Sequence, residues 1–418
     1  MDTMRRESPY PMVSIDEAQR LIATVARALE PETISSLDAD GRVLASDVYA
    51  PFDIPDVPKA AMDGYALRSE DGMAPRRVVA ELTAGAQEGL TIAVGTAARI
   101  MTGAPMPGGA DAMIPVELTE EHDGVLTVQR TLSPGQYVHT VGQDIRRGER
   151  VLARGARIAS AEVGLLATLG LTRIAVYRRP RVAVLATGDE VFEPDGSPIP
   201  GGVRDSNRYA LLSAAREAGC EGLSLGIARD DYAIQRAAIL AGVERADVLL
   251  TSGGVSMGTR DLIKPILAEI GTVHFGRIAF KPGKPTTFAT VGEMNGAQPP
   301  KLIFGLPGYP VSSLVSFEVF VRPALRRLLG DAQPDRPLLR VALASAIRPS
   351  PDRPEYQRVT ISWRDGLFVA TSTGGQGSSR LLSLRGANGL LLVPPGANIY
   401  PAGSELEALL FGSLVTEV

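Results

Sequence analysis

Glycines, hydroxyls and charges concentrate in TSGGVSMGTRD, residues 251–261, directly after the strand-like run Ala246 to Leu250. Ser252, Gly253, Gly254, Ser256 and Gly258 let backbone amides approach an anion, because consecutive amides in a glycine-rich turn form a nest of partial positive charge. A second string, FKPGKP, sets Lys281 and Lys284 on either side of Pro282-Gly283, a pair of ammonium groups suited to phosphate or another oxyanion. ATGDE and ARDD supply Glu190, Asp230 and Asp231, and Asp261 closes the first string. Several carboxylates without a histidine favour a hard cation such as magnesium, shared with phosphate oxygens of a substrate. Each acid alone has a plainer reading, as a helix cap or a solvated group. The same bias at four strand ends points instead to one site. Gly253 to Gly258 has Walker A spacing, but Thr259-Arg260 replaces the Lys-Ser/Thr pair that would hold phosphate and magnesium. With G-x-G-x-x-G also missing from this part of the chain, a nucleotide-hydrolysing P-loop and a dinucleotide oxidoreductase are both disfavoured.

Weaker candidates stand apart. Asp63 in AMDGYA can be a site acid or the first residue of an Asp-Gly turn, and Thr102 in IMTGAP a ligand group or the cap of its own turn. Asp144 in GQDIRRGE has the alternative of a surface pair with Arg146 or Arg147. Arg358 and Ser378 in the last quarter have that of β-domain surface. Cys220 reads as a passive small residue, with no histidine near it in sequence.

The elements that must carry these groups fall into blocks. Ser14-Ile15-Asp16-Glu17 is a capping box, and Ala18, Leu21, Ile22, Val25 and Leu29 recur on one helical face. LDADGRVLASDV predicts a hairpin turning at Asp40-Gly41. Pro51, Pro55 and Pro58 then break both helix and central strand. From about 75 to 145 only strands are predicted, in RRVVAEL, LTIAVG, ARIMTG and GVLTVQR. A short helix at SAEVGLLATLG and a strand at TRIAVYRRP resemble the pieces before residue 50, so the β region reads as an insertion. From Arg181, strands alternate with helices, which implies a parallel sheet covered on both faces, with ligands outside the carboxyl ends of its strands. GLPGYPVSSLVSFEVFVRPALRRLLG predicts a helix from about Pro310, interrupted before Pro323. Short strands follow. The expected fold is therefore multidomain α/β plus β: a doubly wound α/β domain at 180–330, an α+β domain from 8–48 and 145–179, a small β domain inserted at 49–144, and a C-terminal β domain at 331–418.

Bulk properties narrow the class. Lys+Arg of 43 against Asp+Glu of 47 gives a net charge of −4, so no global field would recruit nucleic acid or an acidic membrane. Any anion site must be local. One cysteine excludes an intramolecular disulfide and a cysteine-based metal centre. No apolar run approaches the roughly 18 residues of a membrane span, and the N-terminal string lacks a secretory core. A cytoplasmic enzyme or binding protein is the expectation.

Ten strings then carry a more specific message. MDGYA, RIMTGAP, GQDIRRGE, ATGDE, DSN, GIARDD, TSGGVSMGTRD, KPGKP, GLPGYPVS and TGGQGSS occur in the order found in the molybdopterin molybdenumtransferases, the MoeA family, to which the gephyrin E domain belongs. The resemblance covers about residues 12 to 412. It implies a MoaB/Mog-like central domain, a C-terminal domain resembling a β-barrel, and a cytoplasmic homodimer. It also implies insertion of molybdate into adenylylated molybdopterin with magnesium-dependent release of AMP. On this resemblance Asp63, Thr102, Glu190, Asp230, Asp261, Lys281 and Lys284 form the catalytic set, with Glu190, Asp230 and Asp261 holding magnesium. Asp144, Ser252, Gly253, Gly254, Ser256, Gly258, Pro307, Pro310, Arg358 and Ser378 contact substrate, and Asp63, Thr102 and Asp144 come from the partner subunit. Three positions depart from the pattern: Tyr309 for the family's asparagine, Ala60 for a serine, and Arg260 for an aromatic or acidic residue. A pterin-binding scaffold without transferase activity and a tungstate-inserting enzyme are the alternatives.

Overall fold

A computed structural model of the protein describes residues 10, 12–83, 85, 89–254, 262–293, 296 and 298–416. The chain divides into two compact units: Ser46–Arg154 with Ala161–Thr172, and the remainder.

The larger unit is built on a six-stranded sheet. Its order is Glu221–Ala228, Arg181–Thr187, Val248–Ser252, Lys301–Leu306, Thr287–Val291 and Thr272–Phe275. The first four run parallel, and the last two pair antiparallel. Val248–Ser252 is buried throughout and Arg181–Thr187 is buried after its first residue, the continuous apolar pattern of strands covered on both faces. Helices Asn207–Glu217, Tyr232–Arg245 and Ile263–Ile270 make the crossovers. Cys220 lies in this core at 4% exposure, where burial pushes its thiol up to about 12.

The predicted capping box forms: Ser14 Oγ accepts from Glu17 N at 3.1 Å and opens helix Ile15–Val25, whose Ala18, Ile22 and Val25 are buried. Asp40-Gly41 makes a turn with Gly41 at φ +73°, yet its flanks do not pair with each other. Val43 bridges to Arg157 and Leu44 to Val176, which buries Val43, Leu44 and Val176 against segments far along the chain. The helix from Pro310 runs to Ser316, widens to a π-helical turn at Phe317–Val321 and resumes at Arg322–Leu328. Pro323 has no N–H for an i−4 bond, and the wider turn absorbs the loss.

Beyond residue 331, strands Leu338–Leu343, Glu405–Leu410, Gly389–Val393, Glu355–Arg364 and Leu367–Ser372 pair in a closed ring, giving a five-stranded barrel in the larger unit. Asp365 and Gly366, at φ +48° and +81°, turn one of its hairpins.

The smaller unit has its own six-stranded sheet, ordered Ala112–Pro115, Gly64–Leu67, Thr96–Ile100, Arg76–Leu82, Val125–Val128 and Thr119–His122. Asp123-Gly124 turns the last hairpin with both φ values positive, as its sequence predicts. LTIAVG, expected as a strand, contributes only a bridge from Thr91 to Gly108.

Candidate active site

The carboxyl ends of the parallel strands are built around glycines that leave no room for a side chain. At φ +97°, a Cβ on Gly253 would lie 2.6 Å from the Thr187 carbonyl oxygen; at φ +64°, one on Gly254 would lie 2.9 Å from Ile263 Cγ1. The turn after Ser252 therefore packs directly onto the neighbouring strand end. Asn207 Nδ2 donates to Ser252 Oγ and to the Gly308 carbonyl, both at 2.7 Å, tying this turn to the Pro307–Pro310 loop. Asn207 Oδ1 is buried with no hydrogen-bond partner among the described residues. Pro307 O accepts from Ser313 Oγ, and Pro310 is the first helical residue, a position that needs no N–H. Tyr309 offers no side-chain cap and is 62% exposed.

Adjacent acids behave differently here. Asp231 caps helix Tyr232–Arg245 by accepting from Ile234 N at 2.9 Å, the plain role open to any of these carboxylates. Asp230 accepts from Gln235 Nε2 at 3.2 Å, and its backbone N–H donates to Asp189 Oδ1 at 3.1 Å. Glu190 is exposed and folds back over Gly188, where a Cβ would meet its Oε2 at 2.7 Å. Asp230 and Glu190 follow adjacent parallel strands in which Thr187 and Ala228 are in register. Among the described residues no closed cluster of three metal-binding side chains forms. Magnesium takes one or two carboxylates, keeps several waters and shares phosphate oxygens, and two carboxylates at adjacent strand ends are of the kind that fits that demand. Ser256, Gly258 and Asp261 lie outside the described residues.

A cavity of about 560 Å³ gathers Lys281, Lys284 and Ser378 with Ser312, Arg353 and Glu355. The lysine loop is rigid by construction. Gly283, at φ +133°, sits where a Cβ would come within 2.3 Å of the Phe280 ring, and its carbonyl accepts from Thr286 N and Oγ1 at 3.1 and 2.8 Å. Ser378 reaches the same wall because its carbonyl accepts from Val311 N at 3.1 Å. Arg358 stands behind this wall, 0% exposed. It donates through Nε to Ser383 Oγ at 3.1 Å and through Nη2 to Gly377 O at 3.3 Å, while Gln376 bonds its backbone on both sides. Burial pulls its guanidinium below the ordinary arginine value, and Glu355 opposes the shift.

In the smaller unit Asp63 and Thr102 come together. Asp63 Oδ1 accepts from both Thr102 N and Thr102 Oγ1 at 2.7 Å, which holds the carboxyl below its ordinary value. Gly64 permits this strand end, since a Cβ there would fall 1.9 Å from the Ile114 carbonyl oxygen. Asp144 is exposed on a separate loop, with its backbone N–H donating to Ile54 O at 3.0 Å. Sequence reasoning gave no role to Asn207 or Gln376, although DSN and TGGQGSS were singled out, and it missed Glu355 altogether. No local pattern distinguishes Glu355 from other polar residues of a β domain.

Glycine-lined strand ends, a two-lysine cavity and carboxylates at the ends of a doubly wound sheet define an α/β protein with groups of the kind that bind oxyanions. Comparison with known proteins is consistent throughout. Residues 13–170 match the MoeA N-terminal region (domain I and II), 183–327 the probable molybdopterin binding domain, and 340–411 the MoeA C-terminal region (domain IV). The chain is 37% identical over 410 residues to molybdopterin molybdenumtransferase 2 of Mycobacterium tuberculosis, covering 95% of this chain and 99% of that one. It is 36% identical to gephyrin of Dictyostelium discoideum over 98% of its own length, but spans only 64% of gephyrin. The molybdopterin biosynthesis MoeA protein of Pyrococcus horikoshii superposes with a TM-score of 0.82 at 27% identity, covering 96% of this chain and 100% of that one. The chain belongs to the MoeA family of molybdopterin molybdenumtransferases.

Proposed function

We propose that this chain, a transferase of molybdenum-cofactor synthesis by family, inserts the molybdenum of molybdate into adenylylated molybdopterin with magnesium-dependent release of AMP. The observation that carries this reading is the cavity in which Lys281 and Lys284 face Ser312 and Ser378. Two ammonium groups and two hydroxyls suit a small tetrahedral dianion better than a planar or apolar ligand. The turn Ser252-Gly253-Gly254 takes a phosphate of the nucleotide. Glu190 and Asp230, with Asp261, hold the magnesium ion. A magnesium ion held by these carboxylates would supply positive charge to the phosphate oxygens.

In this reading the chain's own residues bind and orient. Lys281 and Lys284 hold the oxyanion, and Asn207 keeps the phosphate turn in register with the Pro307–Pro310 loop. Arg358 supports the loop carrying Ser378 from behind. No protein nucleophile is required, and Cys220 is too deeply buried to serve as one. A homodimer follows from the same reading, in which a second copy supplies the Asp63–Thr102 pair and Asp144. The protein is assigned to the cytoplasm; among the described residues no helix is long and apolar enough to cross a membrane.

The test supplies adenylylated molybdopterin and magnesium with molybdate or tungstate, then measures AMP and active cofactor. AMP formation dependent on molybdate is expected. AMP with tungstate alone would reassign the metal, and binding of the pterin without AMP under any condition would make the chain a scaffold.

A further inference from the structure

Glu355 begins the barrel strand Glu355–Arg364, is 4% exposed, and lines the cavity assigned above to an oxyanion. A buried carboxylate in an anion site repels its ligand, so its presence there asks for another task. Its Oε1 lies 3.3 Å from Lys281 Nζ, and Oε2 accepts from Gln357 Nε2 at 3.3 Å. The main chain joins the same residues: Lys281 N donates to Pro354 O at 3.0 Å, and Tyr356 N donates to Lys281 O at 2.7 Å. Segment 354–356 therefore holds Lys281 at both its root and its tip. The other cations of this wall are engaged differently. Arg353 pairs with Asp352 at 3.6 Å, Arg358 bonds Ser383 and Gly377, and Lys284 makes no ion pair among the described residues.

We infer that Glu355 is a positioning residue that fixes the Lys281 ammonium at the cavity wall before an anion arrives. A lysine has a long flexible stem, and ordering it in advance removes that cost from binding. The inference rests on the oxyanion reading of the cavity. It also predicts a sign opposite to simple electrostatics. If Glu355 acted only as a negative charge, removing it would tighten anion binding; if it positions Lys281, removing it loosens binding.

Calorimetric titration of the full chain with molybdate decides between them. Glu355→Gln should weaken molybdate binding about tenfold, a coupling of ordinary size for residues in direct contact. In a Lys281→Met background the same change should have almost no effect. Unchanged or tighter binding by Glu355→Gln overturns the inference. So does an equal loss in the Lys281→Met background, which would trace the effect to Arg358 or to general disturbance. A second measurement needs no variant: in the wild-type chain, an amine-acylating reagent should modify Lys281 several-fold more slowly than Lys284, and equal rates contradict the anchor. Failure of the wild-type chain to bind molybdate at all would remove the oxyanion reading itself, a result distinct from either.

Discussion

The Lys281–Lys284 loop and the Asp63–Thr102 pair solve the same problem in different ways. Each presents exposed charge on backbone held by hydrogen bonds and close packing. Around the lysines, the constraint comes from far along the chain: Pro354 and Tyr356 bracket Lys281, and Val311 brings in Ser378. Around Asp63, one residue does the holding, with Thr102 N and Oγ1 both donating to a single carboxylate oxygen. A site assembled by distant segments depends on the barrel staying docked in its unit. A site assembled by one neighbour survives wherever its own strand ends survive.

The largest effect expected follows from removing either charge. Lys284→Met and Asp63→Asn should each lower molybdate-dependent AMP release about a hundredfold or more, the scale of losing one charge-stabilising group. If a twofold assembly shares the two regions, an equal mixture of these variants should recover roughly a quarter of wild-type activity, since half the dimers are mixed and each has one intact site. No recovery on mixing would mean that both regions serve from one chain.

Thr102→Val sharpens the comparison at an intermediate scale. It removes the hydroxyl donor but keeps the amide, so activity near neutral pH should fall about tenfold, the low end for loss of one hydrogen bond to a charged group. The sign with pH is definite. Thr102 depresses the Asp63 pKa by favouring the ionised form. Function needing that carboxylate is complete above its folded pKa and lost as pH falls through it. Without the hydroxyl the pKa rises, so the acid limb of the rate profile should move to higher pH. An unmoved acid limb would detach Asp63 ionisation from the reaction.

Asp231→Ala should give the smallest change. Loss of the cap on Tyr232–Arg245 should cost about 1 kcal/mol in denaturant unfolding and leave transfer intact. The neighbouring Asp230→Ala should impair magnesium-dependent activity with little loss of stability. A reversal of the two would exchange their roles.

That pair also marks the limit of what sequence reveals. The central sheet was readable because strands buried on both faces are apolar at nearly every position, and the first helix because Ser14 and Glu17 form a local device. Asp123-Gly124 likewise announced its hairpin. Asp40-Gly41 carried the same signal without the same result, since its flanks found Arg157 and Val176 instead. The two lysines and the glycines could be singled out by type and spacing. Their supports could not. Glu355 lies 74 positions from Lys281 in sequence, and Asn207 reaches Gly308 across 101. Such partners are chosen by the fold, not by neighbouring residues. Asp230 and Asp231 differ only in which one faces the amides opening the helix, a matter of backbone direction that composition does not carry.

One buried atom has a practical consequence. The sulfur of Cys220, at 4% exposure, is protonated and shielded at neutral pH. The protein should therefore react with maleimides only slowly. A cysteine introduced on the surface of each unit would accept a spectroscopic label cleanly, allowing the separation of the two units to be followed in solution as substrate is added.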